Sequence, residues 1–351
     1  MNDPLSLARP EILALKAYEH AAWDPSLERL HANESPWRVP GDDSSAGLNR
    51  YPEPQPRELV TALAALYGVT PAQLLVGRGS DEAIDLLTRA FCAAGRDAVI
   101  VCPPTFGMYA VAARIQGAGV VAVPLRRDDA YALDLPALLA ALAPAVRLVH
   151  LCTPNNPTGN EIPEAQVLQV LRACEGRALV VVDEAYGEFA LHPGYAPRLA
   201  EFPHLVVLKT LSKAHGLAGA RVGSLLASPQ LVAMLRKIIP PYAMAQPTVE
   251  AAMKVLQPAA QAIARSRVAA TIAERGRLAT VLAALPAVLR VWPSAANFLL
   301  VEFRDAGAAL QAIAGVGLLV RDLRSQPGLG AALRLTIGTP EQNERLLRSL
   351  A

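Results

Sequence analysis

Only five of the 33 basic residues are lysines: Lys16, Lys209, Lys213, Lys237 and Lys254. Any reaction that needs a primary amine therefore has five candidates. Lys213 has the most suggestive setting, in Thr210-Leu-Ser-Lys-Ala-His-Gly-Leu-Ala-Gly-Ala-Arg221, where small residues and glycines follow an apolar run. A lysine becomes nucleophilic when desolvation or a neighbouring cation lowers its pKa. Arg221 supplies such a fixed charge, and the hydroxyl of Ser212 suits a phosphate oxygen.

Four further strings follow apolar runs. Ala178-Leu-Val-Val-Val182 leads into Asp183-Glu-Ala-Tyr186. A carboxylate at the end of a buried strand is costly unless a cation meets it. Asp183 either caps the next turn or faces a protonated ring nitrogen, with Tyr186 nearby as a donor. In Pro154-Asn-Asn-Pro-Thr-Gly159, Asn156 either builds a turn or offers an amide to a bound ring. Gly77-Arg-Gly-Ser-Asp-Glu82 begins like a dinucleotide fingerprint but has Glu82 in place of the third glycine, which rejects that reading. Ser80 and Asp81 still open a helix whose free N–H groups suit a phosphate, unless they merely cap it. Tyr109, in Pro103-Pro-Thr-Phe-Gly-Met-Tyr109, either packs in the core or lies flat on an aromatic ring. A phosphate cradle, an amine, a ring-nitrogen anion, a phenol and an amide together are what pyridoxal 5'-phosphate requires.

The elements that must hold these groups alternate. Strands are predicted at Gln73–Gly77, Ala98–Cys102, Gly119–Pro124, Arg147–Leu151, Ala178–Val182, Leu205–Lys209 and Arg221–Ala227. Helices are predicted between several of them, at Asp81–Ala93, Gly107–Gln116, Asp134–Ala143 and Pro163–Ala173. Wholly apolar strands suit a sheet covered on both faces, so the class is α/β with a mostly parallel seven-stranded sheet. Ligands in such sheets bind beyond the carboxyl ends of the strands, where these polar strings fall. A helical stretch from about 228 to 284 precedes a smaller α+β pattern: strands at Val288–Val291, Asn297–Phe303, Gly317–Arg321 and Leu333–Ile337, helices at Ala306–Ala314 and Pro340–Leu350. The expected division is an arm with part of the small domain (1–50), a large cofactor-binding domain (51–275) and a small domain (276–351).

Composition excludes other classes. With 33 basic and 31 acidic residues and no charge block, no nucleic-acid footprint is present. Cys92, Cys102, Cys152 and Cys174 have no metal-ligand spacing and read as buried thiols of a reducing compartment. The longest apolar run, Leu135 to Val146, is too short to span a bilayer and contains two prolines. The N-terminus lacks the apolar core of a secretory signal, so a cytoplasmic location is expected.

The order and spacing of LHANESP, LNRYPEPQP, GRGSDE, CPPTFGMY, PNNPTG, VVDEAY, TLSKAHGLAGARVG and LRLTIGT resemble those of the fold-type-I aminotransferases over nearly the whole chain. Within that superfamily they are most similar to the branch that acts on histidinol phosphate. The resemblance implies ping-pong transamination between histidinol phosphate and 2-oxoglutarate, with imidazole-acetol phosphate and glutamate as the other pair, in histidine biosynthesis. It implies that Lys213 carries the cofactor and moves a proton, and that Asp183 pairs with the ring nitrogen. Tyr186 and Asn156 would bond the ring hydroxyl, and Tyr109 would stack on the ring. Ser80, Asp81, Ser212 and Arg221 would hold the phosphate. Tyr51 would reach the cofactor of a second subunit, making the active unit a homodimer. Arg334 would clamp the substrate carboxylate, with Arg321, Tyr18, Asn33 and Tyr242 as further substrate contacts.

Two positions depart from the family pattern: His215 and Phe106 stand where an aromatic residue and a tyrosine are common. His215 could shift the pKa of the nearby amine or simply fill space. An aromatic-amino-acid aminotransferase and a phosphothreonine-type decarboxylase are the nearest alternatives. A cofactor-binding regulator would need a DNA-binding module that residues 1–50 do not supply.

Overall fold

The computed structural model describes residues 3–19, 24 and 27–351. Two sheets organise them. The larger has seven strands: β1 (Leu74–Gly77), β2 (Ala98–Val101), β3 (Gly119–Ala122), β4 (Val146–Cys152), β5 (Leu179–Asp183), β6 (Leu205–Thr210) and β7 (Gly223–Leu226). Their order is β1-β7-β6-β5-β4-β2-β3. Pairings from β3 through β6 are parallel, and β7 runs antiparallel to both β6 and β1. The predicted mostly parallel sheet is thus present, strand for strand.

Helices cover both faces: α1 (Pro10–Leu13), α2 (Arg57–Tyr67), α3 (Ser80–Phe91), α4 (Met108–Gln116), α5 (Leu135–Ala140), α6 (Glu164–Cys174), α7 (Pro229–Leu235) and α8 (Gln246–Val255). Successive side chains of a strand point to opposite faces. Accordingly Val180, Val182 and Val207 enter one apolar core, while Leu179, Val181, Val206 and Leu208 enter another. Burial on both sides explains why these strands read as unbroken apolar runs.

A 26-residue helix, α9 (Pro258–Ala283), leads to the second sheet, built from β8 (Val288–Val291), β9 (Phe298–Phe303), β10 (Arg321–Asp322) and β11 (Ala332–Thr336). Its order is β10-β11-β9-β8, all antiparallel. Helices α10 (Ala306–Gly315) and α11 (Pro340–Leu350) pack with α9 on one face around Val301, Phe303 and Leu333. The strand expected at Gly317–Arg321 shrinks to two residues. Gly317 takes a positive φ of 72° in the turn that leaves α10, and sheet pairing begins only at Arg321. No helix among the described residues is long and apolar enough to cross a membrane.

Candidate active site

A cavity of about 560 Å³ opens where β4, β5 and β6 end. Ten of the predicted residues line it: Ser80, Asp81, Asn156, Asp183, Tyr186, Ser212, Lys213, Arg221, Arg321 and Arg334.

Asp183 is the last residue of β5 and is 3% exposed. Tyr109 Oη donates to its Oδ2 at 2.7 Å, and the Ala185 amide donates to its Oδ1 at 3.0 Å. Neither partner is a cation. Burial therefore raises the Asp183 pKa to about 6, against the lowering effect of these two donors. A carboxylate has lone pairs beyond those two bonds, and this one faces the cavity. It is a site prepared for a positive group.

Two lysines four residues apart behave oppositely. Burial works against charge on Lys209, but Glu184, at 2.6 Å from its Nζ, and Glu188 outweigh that and raise its pKa. Lys213 has no such partner among the described residues. Burial, then Arg334 and Arg221, lower its pKa, so its free amine is reached at lower pH than for an ordinary lysine. Its Nζ lies 5.5 Å from the centre of the Tyr186 ring. Lys16 is ion-paired to Glu19, and Lys237 is bonded to the Leu13 carbonyl.

Ser80, Asp81, Ser212 and Arg221, expected to hold a phosphate, lie together at the first turn of α3. Gly79 caps that helix with φ 88°, and a Cβ there would fall 2.5 Å from Arg221 Nη2. A Cβ on Gly223 would meet the backbone of Gly79 at 2.2 Å. Close backbone approach thus requires glycine at 223, and the positive φ favours it at 79. Glu82, which ruled out the dinucleotide reading, folds back to accept from the Arg78 amide at 2.7 Å and shapes the turn. Arg221 donates to Asp81 Oδ2 at 3.1 Å and to Ser212 Oγ at 3.4 Å. Free helix N–H groups beside a guanidinium and a hydroxyl make an anion site.

Arg334 and Arg321 face each other in register on β11 and β10. Arg334 donates to Asn156 Oδ1 and lies 5.2 Å from the centre of the Phe298 ring. These contacts tie the small sheet to the loop after β4. Two guanidiniums side by side, both lining the cavity, have the charge and donor geometry that suit an anionic group.

The remaining residues fall outside the cavity wall. Tyr109 lies beneath it, fully buried, its hydroxyl spent on Asp183 and its ring stacked on His150 at 4.6 Å and 8°. Phe106 lines the cavity instead. It sits in the loop after β2, whereas Tyr109 is already in the first turns of α4, facing the sheet. The rule that strand-end loops face the ligand would have selected Phe106. Thr210, Cys152 and Gln326 also line the cavity; Thr210 ends β6, while Gln326 carries no local signal. Tyr51 stacks on Tyr242 at 4.6 Å, and Tyr51 and Tyr18 are exposed. Asn33 is an exposed residue with a positive φ of 55°. His215 faces away from this cavity, with Nδ1 at 3.3 Å from Gln261 Nε2.

Comparison with known proteins follows the same lines. The family described as aminotransferase class I and II matches residues 27–350. A histidinol-phosphate aminotransferase of Stenotrophomonas maltophilia is 51% identical, over 100% of this chain and 97% of its own. One from Xylella fastidiosa is 55% identical over 92% of this chain and 88% of its own. Among solved structures, the histidinol-phosphate aminotransferase of Sinorhizobium meliloti in complex with pyridoxal-5'-phosphate superposes with a TM-score of 0.75. It is 30% identical, covering 86% of this chain and 82% of that one.

Proposed function

The chain belongs to the class I and II aminotransferases, and from that membership we propose a specific activity for its cavity. It is a transaminase that carries an amino group from L-glutamate to imidazole-acetol phosphate, giving 2-oxoglutarate and L-histidinol phosphate, with pyridoxal phosphate as cofactor. The observation that carries this reading is one cavity holding a buried carboxylate without a cation, a lysine of lowered pKa and two adjacent guanidiniums.

The residues fit the cofactor. The cradle at Ser80 and Asp81, with Ser212 and Arg221, would hold its phosphate, and the closely packed Gly79 and Gly223 leave that space open. Asp183 would meet the ring nitrogen, Tyr186 and Asn156 the ring hydroxyl, and Phe106 the ring face. Bound there, pyridoxal phosphate supplies an aldehyde that takes up amino groups and a protonated ring that withdraws electrons from the substrate Cα.

The protein's own part is positioning and proton transfer. Lys213 would hold the cofactor between turnovers, then take the proton from the substrate Cα and deliver it to the cofactor carbon that carried the aldehyde, joined to Cα through the amino nitrogen. Its lowered pKa favours the free amine this requires. Asp183 stays ionised once its cavity side faces a cation, because Tyr109 and the Ala185 amide already favour the anion. Arg334 grips the glutamate carboxylate in one half-reaction. With Arg321 it grips the phosphate of the imidazole substrate in the other, since that substrate has no carboxylate. Tyr18, Asn33 and Tyr242 are assigned to the substrate mouth. Tyr51 is assigned to the second site of a homodimer, consistent with its exposed ring. Four buried, unpaired cysteines support a reducing, cytoplasmic setting.

Borohydride reduction of the holoenzyme, followed by peptide mapping, should label Lys213 and no other lysine. Turnover with histidinol phosphate and 2-oxoglutarate should exceed turnover with phenylalanine. A label elsewhere, preference for phenylalanine, or release of carbon dioxide from phosphothreonine would overturn the assignment.

A further inference from the structure

A second cavity, of about 480 Å³, backs onto the loops that form the first. Residues adjacent in sequence divide between the two. Asp183 lines the first and Glu184 the second; Lys213 lines the first, Ala214 and His215 the second. The size is that of a small-molecule site.

Its interior sets two carboxylates against one buried ammonium. Glu184 and Glu188 face a single ammonium, Lys209, whose Nζ is 2.6 Å from Glu184 and 3.9 Å from Glu188. Lys209 is therefore committed to Glu184. Glu188 Oε2 is buried with no hydrogen-bond partner among the described residues. Burial and then Lys209 lower the His215 pKa, which works against a compensating charge there. Arg265 also lines the cavity, but it is exposed, and solvent screens its charge. A buried carboxylate oxygen with no partner is costly. On the lining of the same cavity, α9 contributes Ala264 and Val268, small and apolar. An acceptor at one end and an apolar wall along the side describe a ligand with a charged edge and a flat apolar body.

We propose that this second cavity binds a planar organic monocation of the amidinium, guanidinium or imidazolium class. Its charged edge rests on Glu188 and its flat face lies against Ala264 and Val268. A planar cation with two parallel donors matches a carboxylate in the manner of arginine. The inference does not depend on the transaminase reading, since no residue of the first cavity takes part.

Benzamidinium is the probe, because it has the required shape and charge and is a poor partner for aldehydes. Calorimetric titration of the holoenzyme should show one site per chain with a dissociation constant below about 1 mM. Saturating 2-oxoglutarate should leave that binding unchanged. Glu188→Gln should weaken it by about tenfold or more. Ala264→Phe, which fills the space, should abolish it, and both variants should retain transaminase activity as the check on folding. Absence of saturable binding up to about 10 mM, competition by 2-oxoglutarate, or wild-type binding by both variants would overturn the proposal.

Discussion

Asp183 carries the sharpest residue-level consequence. Its pKa is raised from 3.8 to about 6 in the folded protein, chiefly by burial. Between those values the folded chain binds a proton that the unfolded chain has lost, so stability falls as pH rises from about 4 to about 6. Above that range the cost is constant, at about 3 kcal/mol. Asp183→Asn should therefore stabilise the cofactor-free protein in urea at pH 8, converge with the wild type near pH 4, and lose most transaminase activity. An equal gain at both pH values would refute the titration argument. Tyr109 acts on the same carboxylate by donating to its Oδ2. Tyr109→Phe removes that donor while leaving the ring on His150, so Asp183 should hold its proton to higher pH. The acid limb of kcat/KM should shift upward and kcat should fall by about tenfold. A pH profile identical to the wild type would show that the bond is merely structural.

Among the elements, the turn from β1 into α3 and the start of β7 decide whether the proposed phosphate cradle can form. Gly223 sits so close to Gly79 and Ser80 that an added methyl group would have to displace the backbone donors. Gly223→Ala should weaken pyridoxal phosphate binding by about tenfold or more, whereas Gly219→Ala, with nothing within 4 Å, should not. Absorbance titration of the two variants distinguishes these outcomes. Strand identity was legible because β4, β5 and β6 are buried on both faces and therefore almost wholly apolar. The ends of the elements were less legible. Arg221, expected at the start of β7, lies outside the strand in a left-handed conformation at φ 56°. Its role depends on that turn, and no local apolar pattern encodes it.

At the scale of the molecule, the two sheets meet across the site. Arg127 pairs with Glu302 of β9 at 2.5 Å, Tyr131 donates to the Gly328 carbonyl at 3.1 Å, and Arg334 reaches Asn156. Glu302 is largely buried, so Arg127→Ala leaves a carboxylate without its cation. That variant should lose about 1–3 kcal/mol in urea denaturation, more than an exposed pair would account for. The proposed homodimer makes a separate prediction. Mixing Tyr51→Ala and Lys213→Ala chains should restore activity neither variant shows alone, because one hybrid site regains both residues. No gain after subunit exchange would place Tyr51 outside the partner's site.

The sequence by itself determined the α/β class, the covered parallel sheet and the polar strings at strand ends, and it singled out Lys213 as the candidate among five lysines. These properties are written in local composition, because burial on two faces demands apolar strands and strand ends are where polar groups can meet a ligand. Only the tertiary structure decided which way each side chain points. It turned Tyr109 beneath Asp183 and gave Phe106 the cavity wall, and it set His215 and Lys209 around a second cavity. It also brought Arg321 and Arg334 across from another sheet. Such outcomes depend on packing between segments far apart in sequence. A one-residue change of face exchanges one cavity for the other, as neighbouring Asp183 and Glu184 illustrate.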